Sequence, residues 1–417
     1  MENIVKAGQR TTRTLFLVMS AASAGTIGMA TVNPILAADL SGQAAWAGLP
    51  TAIYLLGAAL SAPLWGLLMD RLGRRRGILL GLVLGMAGAA AVQGALSLSS
   101  LAVFLGAMGM IGVASAAVQL SRFSAAEVHP PELRGRAISN VVLGGTVGAI
   151  AGPLLVGPAG RWAVRLGLEE LGGPYLQALL LFTLAAAIVF VGLRPDPREL
   201  GREVARLYSV PAVEGSPRRP LGTIFRGPDA FLALSAMVLG QMVMVMLMVI
   251  TSLHMRNHDH SLMDLSLVIS SHTLGMYAFS VVSGRLSDRW GRHRVILAGS
   301  FTLVVACLAA TLTPDVLPLA MALFLLGLGW NFCYVGGSTL LADQLTPAER
   351  ARSQGFNDLM VGLASAAGSL ASGLVFDAVG FVWMGWVGAA LALVPLLQAL
   401  RRGRLAAHSR LAGAAPG

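Results

Sequence analysis

Apolar residues in this chain do not alternate with polar ones. They gather in runs of about 20 separated by short polar stretches that carry arginine. A helix rises about 1.5 Å per residue, so roughly 20 residues cross a hydrocarbon layer of about 30 Å. In such a layer a helix satisfies its own backbone hydrogen bonds without help from water. Twelve runs predict membrane-crossing helices at 14–37, 46–69, 77–97, 101–123, 137–158, 175–194, 229–252, 263–284, 295–313, 316–342, 355–377 and 381–400. The first follows Lys6, Arg10 and Arg13, as a signal peptide would. Its 24 residues exceed the usual apolar region of about 7–15, so an uncleaved helix is expected. One connection is long: residues 195–228 carry several prolines and lie in a stretch with seven arginines from Arg194 to Arg226. It reads as a cytoplasmic linker with an amphipathic turn around 198–208.

Composition agrees with this pattern. Charged residues make up 12% of the chain, hydrophobic residues 55%, and mean hydropathy is +0.72, whereas a soluble chain carries about 25% charged residues. The net charge of +10 is spread between the apolar runs and forms no basic face, which argues against a nucleic-acid partner. It is a topology signal instead. Of the 30 Lys and Arg residues, 27 fall on one side of the predicted membrane, and Arg161, Arg165 and Arg256 fall on the other. Both termini are therefore expected to be cytoplasmic, in a multi-pass protein of the cell inner membrane, and the asymmetry supports an even number of spans. Cys307 and Cys333 lie inside apolar runs and read as buried thiols, with no disulfide framework. No G-x-x-x-x-G-K-[ST] loop and no catalytic constellation occurs. The chain reads as a non-enzyme without cofactor, a monomer in the bilayer, acting on a small solute or a metal ion with energy from gradients.

The chain repeats itself. WGLLMDRLGRRR at 65–76 recurs 218 positions later as SGRLSDRWGRHR at 283–294, each at the same end of the second helix of its half. Pro131, Arg134 and Arg136 match Pro347, Arg350 and Arg352 at an offset of 216, each between fourth and fifth helices. Two similar six-helix halves follow, 1–194 and 229–417, the second ending in a short basic tail. The element G-x-L-x-D-R-x-G-R-R resembles the signature of the major facilitator superfamily, and the resemblance covers essentially the whole chain. It implies an all-α membrane protein of twelve helices in two pseudo-symmetric halves, with solute passing between them near mid-bilayer by alternating access. In the first copy Gly66 and Gly73 would allow close helix approach, Asp70 would accept hydrogen bonds at a neighbouring helix N-terminus, and Arg71 and Arg74 would sit at anionic headgroups. With Gly284, Asp288, Arg289, Gly291 and Arg292 of the second copy, these residues are candidates for a conformational latch between the halves.

Residues 241–276, QMVMVMLMVITSLHMRNHDHSLMDLSLVISSHTLGM, concentrate soft donors. Met244 and Met248 are four apart on the seventh helix, and His272 and Met276 are four apart on the eighth, so each pair shares a helix face. By helix rise, Met244 and His272 lie roughly 12–13 Å below the outer ends of antiparallel neighbours, giving a ladder of thioether and imidazole. Donors of this kind without carboxylate suit Cu(I). Met242 and Met246 offer a competing register. His254, His258 and His260 form a candidate outer capture site. The two four-residue motifs resemble those of CcoA-like copper importers, a resemblance that implies uptake of Cu(I) through Met244, Met248, His272 and Met276. The alternative is proton-coupled efflux of drugs or other small organic compounds. For this, Gly148-Ala-Ile-Ala-Gly-Pro153 partly resembles the element of proton-coupled drug antiporters. Asp358 on the eleventh helix would be the proton relay, or a first-turn residue stabilising its own helix N-terminus. Asn33 and Pro34 on the first helix line the cavity or mark a break.

Overall fold

A computed structural model describes residues 2–208 and 219–412, and every regular element among them is a helix. Residues 209–218 of the predicted linker and the end of the predicted tail, 413–417, lie outside the described residues. The first helices are α1 (Glu2–Ser41), α2 (Leu49–Leu72), α3 (Arg74–Ser97), α4 (Leu101–Gln119), α5 (Ser121–Glu127), α6 (Arg134–Leu154), α7 (Val156–Arg165), α8 (Gly173–Gly192) and α9 (Pro197–Leu207). Then follow α10 (Leu221–Arg226), α11 (Pro228–Arg256), α12 (Leu262–Tyr277), α13 (Ser280–Trp290), α14 (Arg292–Ala309), α15 (Val316–Asp343) and α16 (Pro347–Ala412). Contacts divide the chain into two units. The first holds α1–α9 with Asp259–Ser270, the residues leading into α12 and its opening turns; the second holds the rest.

Among the described residues eleven stretches are long and apolar enough to cross a membrane. The last, Arg352–Arg402, has 51 residues, more than twice what one crossing needs. Gly380 interrupts it at φ 79°, a conformation that costs glycine little and a residue with a Cβ much more. It therefore makes two passes, and the spans among the described residues number twelve.

Three predicted spans are not continuous. The fourth breaks at Leu120, between α4 and α5. The fifth breaks at Leu155, two residues after Pro153, and the backbone N–H of Gly157 is satisfied from outside its own helix by Ser266 Oγ at 3.1 Å. The eighth breaks at Ala278–Phe279, between α12 and α13. There the buried Asn331 of α15 donates to the Met276 carbonyl at 2.7 Å and to Ser280 Oγ at 3.0 Å, and accepts from Ser283 Oγ. The fourth and eighth breaks carry no proline. α1, by contrast, runs unbroken through Pro34, and Asn33 is tied to the buried Tyr175 hydroxyl at 2.5 Å. The predicted turn at 198–208 is the helix α9, capped by Asp196, with Leu200 and Val204 buried one turn apart.

Helices in lipid gain little from hydrophobic exclusion, so close backbone packing matters more. In the first unit Gly144, Gly148 and Gly152 recur every fourth residue on α6, where a Cβ would strike the backbone of Phe16, Ser20 and Ala24 on α1. In the second, Gly275 of α12 faces the Phe324 carbonyl of α15, and Gly327 of α15 faces the His272 carbonyl in return.

Candidate functional site

The two copies of the repeated motif fold alike. Gly73 (φ 95°) and Gly291 (φ 91°) turn the chain between α2 and α3 and between α13 and α14. Around the first turn Arg74 pairs with Asp70 at 2.9 Å and grips Glu127 at the end of α5 at 2.6 and 3.0 Å. Around the second, Arg292 pairs with Asp288 at 3.4 Å and with Asp343 at the end of α15 at 2.9 Å. Arg71 and Arg289 are exposed. Gly66 and Gly284 make no close helix approach: a Cβ at either would meet nothing within 4 Å. The carboxylate at the N-terminus of α3 is Asp196, which accepts from the backbone N–H groups of Arg74 at 3.1 Å and Arg75 at 3.0 Å. Sequence reading missed it, because Asp196 lies 122 residues from its partner and in no motif.

Inside the first unit a cavity of about 80 Å³ is lined by α1, α2, α3, α4 and α8. Tyr54 and Ser115 hydroxyls meet across it at 2.7 Å. The Gln119 amide lines it with no partner among the described residues, Ser23 and Thr26 add hydroxyls, and Phe182 adds a ring. These residues come from four helices without a shared spacing, and in the sequence only the polarity of Ser23, Thr26, Tyr54, Ser115 and Gln119 inside apolar runs sets them apart.

The second unit carries a cluster of aromatic residues on α12 and α15. Trp330 stacks on Tyr334 with centroids 5.1 Å apart and planes 22° apart, and Tyr277 meets Trp330 edge-on at 6.3 Å. Gln241 of α11 accepts from Trp330 Nε1 at 2.6 Å. All four are half-buried. Cys333, next in sequence, points elsewhere, toward Ser300 at 3.6 Å.

The soft donors stand on the same elements. Met244 and Met276 are buried, Met248 is half-buried, and His272 is wholly buried. Nδ1 of His272 lies 2.9 Å from the Leu323 carbonyl. A carbonyl can only accept, so Nδ1 carries the proton, and in the neutral ring Nε2 presents its lone pair. Nε2 has no partner among the described residues. Met242 and Met246 pack against Gly368 and Gly388 of α16, so that register is helix contact. Of the outer histidines, His254 stacks on Phe381 at 4.0 Å and lies 4.5 Å from the His258 ring. Among the described residues no three His, Cys, Asp or Glu side chains are grouped to hold a metal, so His254, His258 and His260 form no such set. Asp358 is exposed and lies three turns into α16, which begins at Pro347, so it is not a first-turn residue. That place belongs to Glu349, which is 3% exposed and accepts from Arg219 at 2.8 Å and from the Thr346 backbone at 3.1 Å.

Twelve membrane spans, a duplicated motif turn and a cavity with hydroxyl and amide groups on its wall define a polytopic membrane protein built to handle a solute. The chain belongs to the Major Facilitator Superfamily, whose family profile matches residues 14–264 and 233–415. It is 34% identical over 387 residues to the uncharacterized MFS-type transporter YdeG of Bacillus subtilis, spanning 92% of this chain and 90% of that one. It is 32% identical over 367 residues to the riboflavin transporter RfnT of Brucella anthropi, 87% and 88% of the two chains. To the multi-drug resistance efflux pump PmrA of Streptococcus pneumoniae it is 26% identical over 352 residues, 81% and 80%. The chain is thus a membrane transporter of this superfamily.

Proposed function

We propose that this transporter carries a planar heteroaromatic solute of the flavin kind by alternating access, in the inner membrane with both termini cytoplasmic. The observation that carries the reading is the Tyr277–Trp330–Tyr334 cluster, a π surface on which a flat ring can stack. Likeness to a riboflavin transporter over most of both chains points the same way. The placement of 27 of 30 basic residues on one predicted side supports the orientation. The test is riboflavin movement in proteoliposomes under a proton gradient imposed in either direction, which also separates uptake from efflux. Wild type is expected to transport, and Trp330→Ala to lose about tenfold or more, the scale of one stacking contact. A wild type that moves no riboflavin in either direction sinks the reading.

A second reading, uptake of Cu(I) through Met244, Met248, His272 and Met276, is favoured by one observation. His272 donates its Nδ1 proton to a backbone carbonyl and keeps a buried Nε2 without a partner among the described residues, the way metal-binding histidines are oriented. Cu(I) accumulation under reducing conditions that disappears in His272→Ala would carry this reading over the first.

A further inference from the structure

At the arginine-rich end of the first unit lies a second cavity, of about 330 Å³, which the solute reading does not use. The first turns of α1, the α5–α6 connection, the start of α6 and the end of α9 enclose it. Arg13 and Arg136 both line it, and neither has a partner among the described residues. This is unlike Arg74, Arg219, Arg292 and Arg402, each of which is held by a carboxylate. Among the described residues no carboxylate lines the cavity. The His129 ring is fixed by its Nδ1 bond to the Ala125 carbonyl at 3.0 Å, and the Asn140 amide adds donors. The rest of the wall mixes the polar Gln9, Thr12 and Tyr208 with apolar side chains, of which Leu133 and Leu207 are exposed.

Two unpaired guanidiniums, an imidazole and an amide in one pocket suit a group with several charged oxygens, because a guanidinium fork matches phosphate geometry. The apolar part of the wall, with Leu133, Val204 and Leu207, favours a phosphate that carries a non-polar body. We infer that this cavity binds a phosphate ester bearing an apolar or aromatic group. Such an ester comes from one of two sources, an anionic phospholipid of the surrounding leaflet or a soluble phosphomonoester.

Full-length protein in phosphatidylcholine nanodiscs is titrated calorimetrically with phenyl phosphate and with inorganic phosphate. In parallel, discs containing phosphatidylglycerol are examined by native mass spectrometry for retained lipid. Wild type is expected to bind at least one ester, more weakly as salt rises. Arg13→Gln with Arg136→Gln should weaken binding about tenfold or more, while Arg13→Lys with Arg136→Lys keeps part of it and controls for folding, as does an unchanged melting temperature. Retained phosphatidylglycerol without phenyl phosphate binding identifies the lipid source, and the reverse identifies the soluble one. Wild type binding neither ester, or the Gln variant binding as tightly as wild type, overturns the inference. Inorganic phosphate binding as tightly as phenyl phosphate overturns the role given to Leu133 and Leu207.

Discussion

Glu349 draws its meaning from its partners. Nearly buried, it is held well below the usual carboxylate range, first by the Arg219 guanidinium and then by the Thr346 backbone N–H. A depressed carboxylate pKa contributes stability that is complete above the ordinary value, near 4.5, and is lost as pH falls through the folded-state value. Between pH 5 and 8 the tether between Arg219 and the start of α16 therefore keeps its charge. Glu349→Gln should melt at a lower temperature than wild type by an amount constant from about pH 5.5 to 8. The gap should narrow below about pH 4.5, where only wild type loses its contribution. Differential scanning fluorimetry across that range is the check, and a gap that widens on acidification contradicts the assignment. Neither Glu349 nor Asp196 was legible beforehand. Each works on a partner more than 100 residues away, and a sequence shows a carboxylate without showing which N–H groups the fold brings to it.

The helices themselves were legible because the bilayer demands runs of fixed length. The breaks at Leu120 and Ala278–Phe279 carry no proline, and the second is stabilised by Asn331, a polar residue from another helix. Hydropathy cannot register either of them. The Gly144–Gly148–Gly152 stripe shows the converse: the small residues were visible, and the structure supplies the α1 backbone they pack against. At Gly148 the obstacle is backbone on another helix, which cannot rotate away, so Gly148→Ala should cost about 1–3 kcal/mol. Gly106, on an exposed face of α4 with nothing within 4 Å of an added methyl, makes the matched control. Gly106→Ala should leave stability unchanged or raise it by up to about 1 kcal/mol. Both are read from thermal or denaturant unfolding in detergent; equal losses in the two would show that approach distance does not decide the cost.

For the molecule as a whole, duplication was the most informative feature of the sequence, and the structure repeats it in its ion pairs: Arg74 with Asp70 and Glu127, Arg292 with Asp288 and Asp343. The cavity residues were far less legible. A transport site is assembled from single polar or aromatic positions on several helices, none of which needs a neighbour of its own kind. The proposed latch makes a prediction at this scale. Asp70 is 63% exposed and bound through an i,i+4 pair with Arg74, which keeps its grip on Glu127 without it. Exposed pairs of that geometry contribute about 0.3–0.5 kcal/mol, so Asp70→Asn should scarcely change insertion or melting temperature. If the carboxylate is required in a different conformation of the transport cycle, the same variant should lose most of its transport rate in proteoliposomes. A large kinetic loss beside a negligible loss of stability separates a conformational role from a structural one, since so weak a local pair cannot produce it. Full transport by Asp70→Asn would leave the repeated acid with only its small local ion pair to explain it.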